Sequence, residues 1–161
     1  MTDYFACGSS AQLTWHDQQE VDDVATYLAN DNLTDMRDLR SARVLLIEDD
    51  RTMQRMVSKS IGDYCDLIKA PTSGNGISKY LNFDPDIIFL DLNLPDNNGH
   101  KILKWIMWND PGAYVVIFSS YCDSANIEKA LNSGAKDYVP KPFNPGKMMS
   151  YILQCPKLHV A

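Results

Sequence analysis

From Arg43 onward, short apolar runs alternate with stretches of helical spacing, and the alternation repeats five times. Val44-Leu45-Leu46-Ile47 is unbroken apolar sequence, the mark of a strand buried on both faces, and it stops at Glu48-Asp49-Asp50. Met53, Met56, Val57, Ser60 and Ile61 then fall on one side of a helix. Leu67-Ile68-Lys69-Ala70 predicts a second strand, and the turn Pro71-Thr72-Ser73-Gly74 leads into a helix through Tyr80-Leu81. The third strand is Asp86-Ile87-Ile88-Phe89-Leu90, ended by Asp91 and a loop rich in Pro, Asn and Gly. Gly99 starts a helix carrying Ile102, Leu103 and Ile106, and Asp110-Pro111-Gly112 ends it. Tyr114-Val115-Val116-Ile117-Phe118 is the fourth strand, running into Ser119-Ser120. A helix over 124–133 is closed by Gly134. Tyr138-Val139-Pro140 is the fifth strand, its proline suited to a sheet edge, and a last helix lies around 148–153. Strands alternating with helices imply an α/β fold with a parallel sheet covered on both faces.

Residues 1–42 follow a different pattern. The first 13 are small and polar without a period. Thr14 with Asp17 resembles a helix start, and Val21, Val24, Ala25 and Leu28 share one side of a helix from about Trp15 to Ala29. Asn30-Asp31-Asn32 breaks it, and Leu33, Met36 and Leu39 suggest further helical turns. This extension is too short and polar to build its own core, so its apolar stripe must rest on the main domain, a second copy or a partner. The expected division is an acidic, partly helical extension over 1–42, a main domain over 43–155 and a tail over 156–161.

Composition narrows the function. Of the 161 residues 45% are hydrophobic and 22% charged, ordinary globular material. Residues 1–42 hold eight acids against Arg37 and Arg40, which accounts for the whole net charge of −6. No basic face announces nucleic-acid binding. Cys7, Cys65, Cys122 and Cys155 lack the spacing of a zinc site or a disulfide framework, so reduced thiols in a cytoplasmic protein are expected. The N-terminus has no signal-peptide pattern, and no apolar stretch reaches the ~18 residues of a membrane span. His16 stands alone on a polar helix and reads as a solvated side chain rather than a phosphoryl acceptor.

Glu48 and Asp49, Asp91, Ser119 and Lys141 each follow or end a different strand. In a parallel sheet those ends share one edge, where ligands of open α/β sheets bind. Clustered carboxylates suit Mg²⁺, a lysine ammonium suits a phosphate oxygen, and a serine hydroxyl can donate to another. With one carboxylate left as nucleophile, the set is fitted to accept a phosphoryl group. Taken singly, each piece has a plain structural reading: an acidic pair at a helix N-terminus, a surface lysine, a serine turn, a half-buried Tyr138.

Leu46-Ile47-Glu48-Asp49-Asp50, the run Leu90-Asp91-Leu92-Asn93-Leu94-Pro95-Asp96-Asn97-Asn98-Gly99, Phe118-Ser119-Ser120, Gly134-Ala135-Lys136-Asp137-Tyr138 and Lys141-Pro142-Phe143 together resemble the receiver domain of two-component response regulators. The resemblance covers about residues 43–155. It implies a flavodoxin-like (βα)5 sheet in the order 2-1-3-4-5. It implies Asp91 as phosphoacceptor, with Mg²⁺ held by Glu48, Asp49, Asp91 and the Asn93 backbone carbonyl. Ser119 and Lys141 would hold phosphoryl oxygens, Tyr138 would change rotamer as Ser119 moves, and the Lys141–Pro142 bond would be cis. Its partners would be a sensor histidine kinase or histidine phosphotransfer protein and a downstream protein. Such a domain catalyses its own phosphorylation and slow hydrolysis without being a turnover enzyme.

Three departures stand out. Ser119 occupies a position where threonine is common, and the hydroxyl survives. Trp108 points away from the core face of its helix and Trp105 flanks it, where similar domains carry polar residues. Docking of the N-terminal helix, a partner or a second copy would cover this surface, and a single stray tryptophan is the alternative. No output domain follows, which fits a stand-alone receiver or the receiver part of a longer regulator. A Mg²⁺-dependent phosphatase with an aspartate nucleophile wants an acid two residues on, where Asn93 stands. A nucleotide-binding module is weaker still, because Gly74-Asn75-Gly76 is a lone pair of glycines in the wrong place.

Overall fold

The computed structural model describes residues 36–120 and 123–158. The expected helix over 15–29, His16, Cys7 and Cys122 lie outside them. The elements are α1 (Met36–Ser41), β1 (Arg43–Ile47), α2 (Arg51–Ile61), β2 (Asp66–Ala70), α3 (Ser73–Phe83), β3 (Ile87–Leu90), α4 (Gly99–Asn109), β4 (Val115–Ser119), α5 (Ser124–Asn132), β5 (Asp137–Pro140) and α6 (Pro145–Leu153), with a 3-10 turn at Pro156–Leu158. The strands form one parallel sheet in the order β2-β1-β3-β4-β5. This is the flavodoxin-like arrangement expected from the sequence.

Central strands carry unbroken apolar runs because both their faces are covered. Val44, Leu46, Phe89, Val116, Phe118 and Val139 pack with Val57 and Ile61 of α2 and Met148 and Ile152 of α6. Leu45, Ile47, Ile88, Leu90 and Ile117 pack with Ile102, Leu103 and Ile106 of α4 and Ala130 of α5. Each such buried side chain stabilises the fold by roughly 1.5–3 kcal/mol. The edge strands β2 and β5 are less covered, and Pro140 lies on β5, where its missing N–H costs no central ladder bond. Leu39 of α1 and Ala42 join the α2/α6 side of the core.

Side-chain caps start the helices at the carboxyl edge of the sheet. Asp50 Oδ1 accepts from Thr52 N at 2.7 Å, Thr72 Oγ1 from Asn75 N at 3.2 Å, Asn98 Oδ1 from His100 N at 2.8 Å, Asp123 Oδ1 from Asn126 N at 2.9 Å and Asn144 Oδ1 from Gly146 N at 2.7 Å. Helix α5 ends at Gly134, whose φ of +103° favours glycine and whose N–H reaches the Leu131 carbonyl at 3.0 Å. The opposite edge gathers both ends of the described chain. Arg43 donates to the Phe83 carbonyl and to Asp84 and Asp86, Cys155 Sγ–H donates to the Asp86 carbonyl, and Lys157 pairs with Asp110.

His100 is buried at the start of α4, with its Nε2 3.2 Å from Asn126 Oδ1 on α5. Asn126 Nδ2 donates to Asp123 Oδ2 at 2.6 Å, which leaves Asn126 Oδ1 as acceptor and assigns the His100 proton to Nε2. Burial lowers the imidazole pKa from its ordinary 6.5; Lys129 and Lys104 lower it further, while Asn126 and Asp123 oppose them. The unfolded chain therefore takes up this proton before the folded one does. His100 contributes stability that is complete above the ordinary value and is lost as the pH falls below it. Urea unfolding between about pH 7.5 and 5.5 should show this loss, and His100→Gln should flatten that part of the profile.

Candidate functional site

The carboxyl edge brings four of the candidate side chains together. Glu48 and Asp49 follow β1, and Asp91 follows β3, its N–H still paired with the Ile47 carbonyl at 2.9 Å. Oxygen atoms of Glu48, Asp49 and Asp91 all lie within 4.8 Å of one another. Glu48 and Asp91 are buried and Asp49 is exposed, so the cluster opens to solvent on one side only. Lys141, just beyond β5, places its ammonium 2.6 Å from Asp91 Oδ2 and in contact with Glu48 Oε2. Three carboxylates against one ammonium leave a formal charge of −2, which is matched to a divalent cation. This donor set of clustered oxygens fits a hard ion such as Mg²⁺.

The neighbours fix these groups in place. Glu48 Oε1 accepts from Asp50 N at 3.1 Å, and its main-chain carbonyl accepts from Gln54 Nε2 at 2.6 Å. Burial pushes the Glu48 carboxyl above its ordinary range, the Lys141 ammonium pulls it back, and Asp91 adds to the rise. Asp91 Oδ1 accepts from Asn93 N at 2.9 Å, so both oxygens of Asp91 have a defined donor. Lys141 rests 4.8 Å over the Phe118 ring, which packs edge-on against Phe143. The Lys141 main-chain N–H donates to the Ser119 carbonyl at 3.0 Å, and the Lys141–Pro142 peptide is cis.

Ser119 is the last residue of β4 and fully buried, and Tyr138 is buried on the α4/α5 side of the sheet. Asn93 forms an isolated bridge with Asn98 across the loop after Asp91. Asp50, the third acid of the first run, turns away from the cluster to cap α2.

Two contributors lie outside the candidate set. Asp96, on the loop after Asp91, accepts from Ser73 N at 2.9 Å and Gly74 N at 3.3 Å, which ties that loop to the start of α3. These donors hold its carboxyl below the ordinary range. The pairing spans 23 residues of chain, so no local pattern announces it. Gly99 is the other. A Cβ there would overlap the Asp91 carbonyl oxygen and the Leu92 Cα. Only glycine lets α4 begin directly against the Asp91 peptide unit.

Residues 44–153 match the family model described as the response regulator receiver domain. The chain belongs to the response regulator receiver family. Among its relatives is the chemotaxis protein CheY of Thermotoga maritima, 33% identical over 111 residues, covering 67% of this chain and 92% of the relative. A CheY-like receiver structure from Methanospirillum hungatei superposes with a TM-score of 0.68 at 27% identity, covering 73% of this chain and 94% of that one. A CheX–CheY–BeF3–Mg²⁺ complex from Borrelia burgdorferi shares the fold, with a TM-score of 0.66 at 24% identity over 70% of this chain and 87% of that one. This receiver is thus a signalling domain of two-component systems. Among its described residues no helix is long and apolar enough to cross a membrane.

Gly99→Ala tests the close approach. The methyl group must displace either α4 or the loop after Asp91, and the expected cost is about 1–3 kcal/mol, as for other overpacked sites. Chemical denaturation reads the cost. Perturbed amide resonances at Asp91 and Leu92 would locate it.

Proposed function

We propose that Asp91 accepts a phosphoryl group from a phosphohistidine on a sensor kinase or histidine phosphotransfer protein. The single observation that carries this reading is the Lys141 ammonium held 2.6 Å from Asp91 Oδ2 beside two further carboxylates. Glu48, Asp49, Asp91 and the main-chain carbonyl of Asn93 would hold Mg²⁺, which when bound supplies charge neutralisation to the transferring group.

In the transfer, a carboxylate oxygen of Asp91 attacks the phosphorus. The new O–P bond forms as the P–N bond breaks, and the electron pair leaves on the donor's imidazole nitrogen. Asn93 N–H orients the carboxylate through Oδ1. Lys141 already lies at Oδ2 and needs little movement to reach a phosphoryl oxygen. The Ser119 hydroxyl donates to a second phosphoryl oxygen, and that shift opens space for Tyr138 to change rotamer. The altered surface is then read by a downstream protein. The domain loads once and hydrolyses slowly rather than turning over substrate.

Loading from acetyl phosphate with Mg²⁺ should add one phosphoryl group to the full chain, seen by intact mass. Asp91→Asn should reduce that gain to background; an unchanged gain would show a different acceptor. Steady release of phosphate from phosphomonoesters would instead favour an aspartate-nucleophile phosphatase. Ser119→Ala should retain loading but lose much of the change in Tyr138 resonances, whereas Ser119→Thr should keep both. Lys141→Ala should load partly and respond weakly.

A further inference from the structure

Helix α4 presents an unusual stripe to solvent. Lys101, Lys104, Trp105 and Trp108 follow the i, i+3, i+4, i+7 spacing that places four side chains on one helical face. This face is opposite the one formed by Ile102, Leu103 and Ile106, which lies in the core. Trp105 is partly covered, edge-on to Tyr80 of α3 with ring centroids 5.9 Å apart. Trp108, one turn on, is 82% exposed, and Leu81, next to Tyr80 on α3, is 64% exposed. Two lysines in the N-terminal half of the stripe and two aromatic rings in its C-terminal half form a surface suited to an acidic amphipathic helix.

The chain itself contains such a segment. Residues 1–35 hold seven acids and no lysine or arginine. Val21, Val24, Ala25 and Leu28 repeat the same i, i+3, i+4, i+7 spacing; Asp17 continues that stripe one turn before Val21, and Glu20 borders it. The described chain starts at Met36 and enters β1 at Arg43, whose side chain touches Phe83 and Asp84 at the end of α3. Tyr80, close enough to Asp110 for the two to interact, places the end of α4 at that same edge. The six residues 30–35 can span about 20 Å when extended.

We infer that the acidic segment over residues 14–29 docks in cis on the Lys101–Lys104–Trp108 face of α4, with its apolar stripe on the tryptophans and Asp17 and Glu20 toward the lysines.

Carbodiimide coupling on the full chain tests this directly, using an equal mixture of unlabelled and 15N-labelled protein at low concentration. The expected products are amide links from Lys101 or Lys104 to acids of residues 14–29, with both peptides of one isotope. Links that pair the two isotopes would overturn the inference in favour of a second copy. An absence of links to that segment would overturn it outright. Trp108 gives an independent readout in a Trp15→Phe background, with Trp105 partly shielded by Tyr80. Val24→Asp with Leu28→Asp should raise acrylamide quenching roughly twofold as the ring is uncovered. Lys101→Gln with Lys104→Gln should do the same, and high salt should mimic it. Quenching that ignores all three changes means that the segment does not cover the ring.

Discussion

A lysine ammonium lodged between two buried carboxylates holds the acidic edge together. Glu48 and Asp91 are almost inaccessible to water, and like charges at such spacing repel by about 4 kcal/mol at an effective dielectric of 20. Lys141 offsets that repulsion from the third side. Its place depends on the sheet: β4 must carry Ser119 to the edge, and the Ser119 carbonyl then holds the Lys141 main chain. Phe118 and Phe143 cover the lysine stem and leave its charged end facing the acids. Strand order, register and side-chain chemistry thus answer one electrostatic requirement.

The loop that follows Asp91 is fastened at both ends and in the middle. Asn93 N–H holds the carboxylate at one end, Asp96 grips the first turn of α3, and Gly99 seats α4 on the Asp91 peptide. His100 and Asn126 then join α4 to α5. Helices α3, α4 and α5 all lie on one side of the sheet, so the contacts around Asp91 are concentrated there. The other side, with α2 and α6, has a more uniformly apolar interface and Leu39 of α1.

Much of this was legible in the residues because each central strand is one apolar run ended by a polar functional group. The expected strands differ from those observed by a residue at most ends. Asp86 was read into β3 but stands before it, where its Oδ2 accepts from Arg43 N at 2.8 Å. Of the run Glu48-Asp49-Asp50, the first two join the cluster and Asp50 caps α2, because its position lines up with the first free N–H groups of that helix. Helical spacing sets Trp108 away from the core face and Trp105 beside it, but does not show what covers either ring. Tyr80, distant in sequence, half-covers one and leaves the other exposed. His100 and Asp96 carry no signal in the sequence because their partners lie on other elements, and helical or strand periodicity holds no trace of such pairs.

Arg43, Cys155 and Lys157 anchor both ends of the described chain at the edge facing away from Asp91. The described chain enters and leaves the fold through its base, away from the acidic rim. A tether joined at Met36 or at Leu158 would therefore start from the side of the sheet opposite the carboxylate cluster.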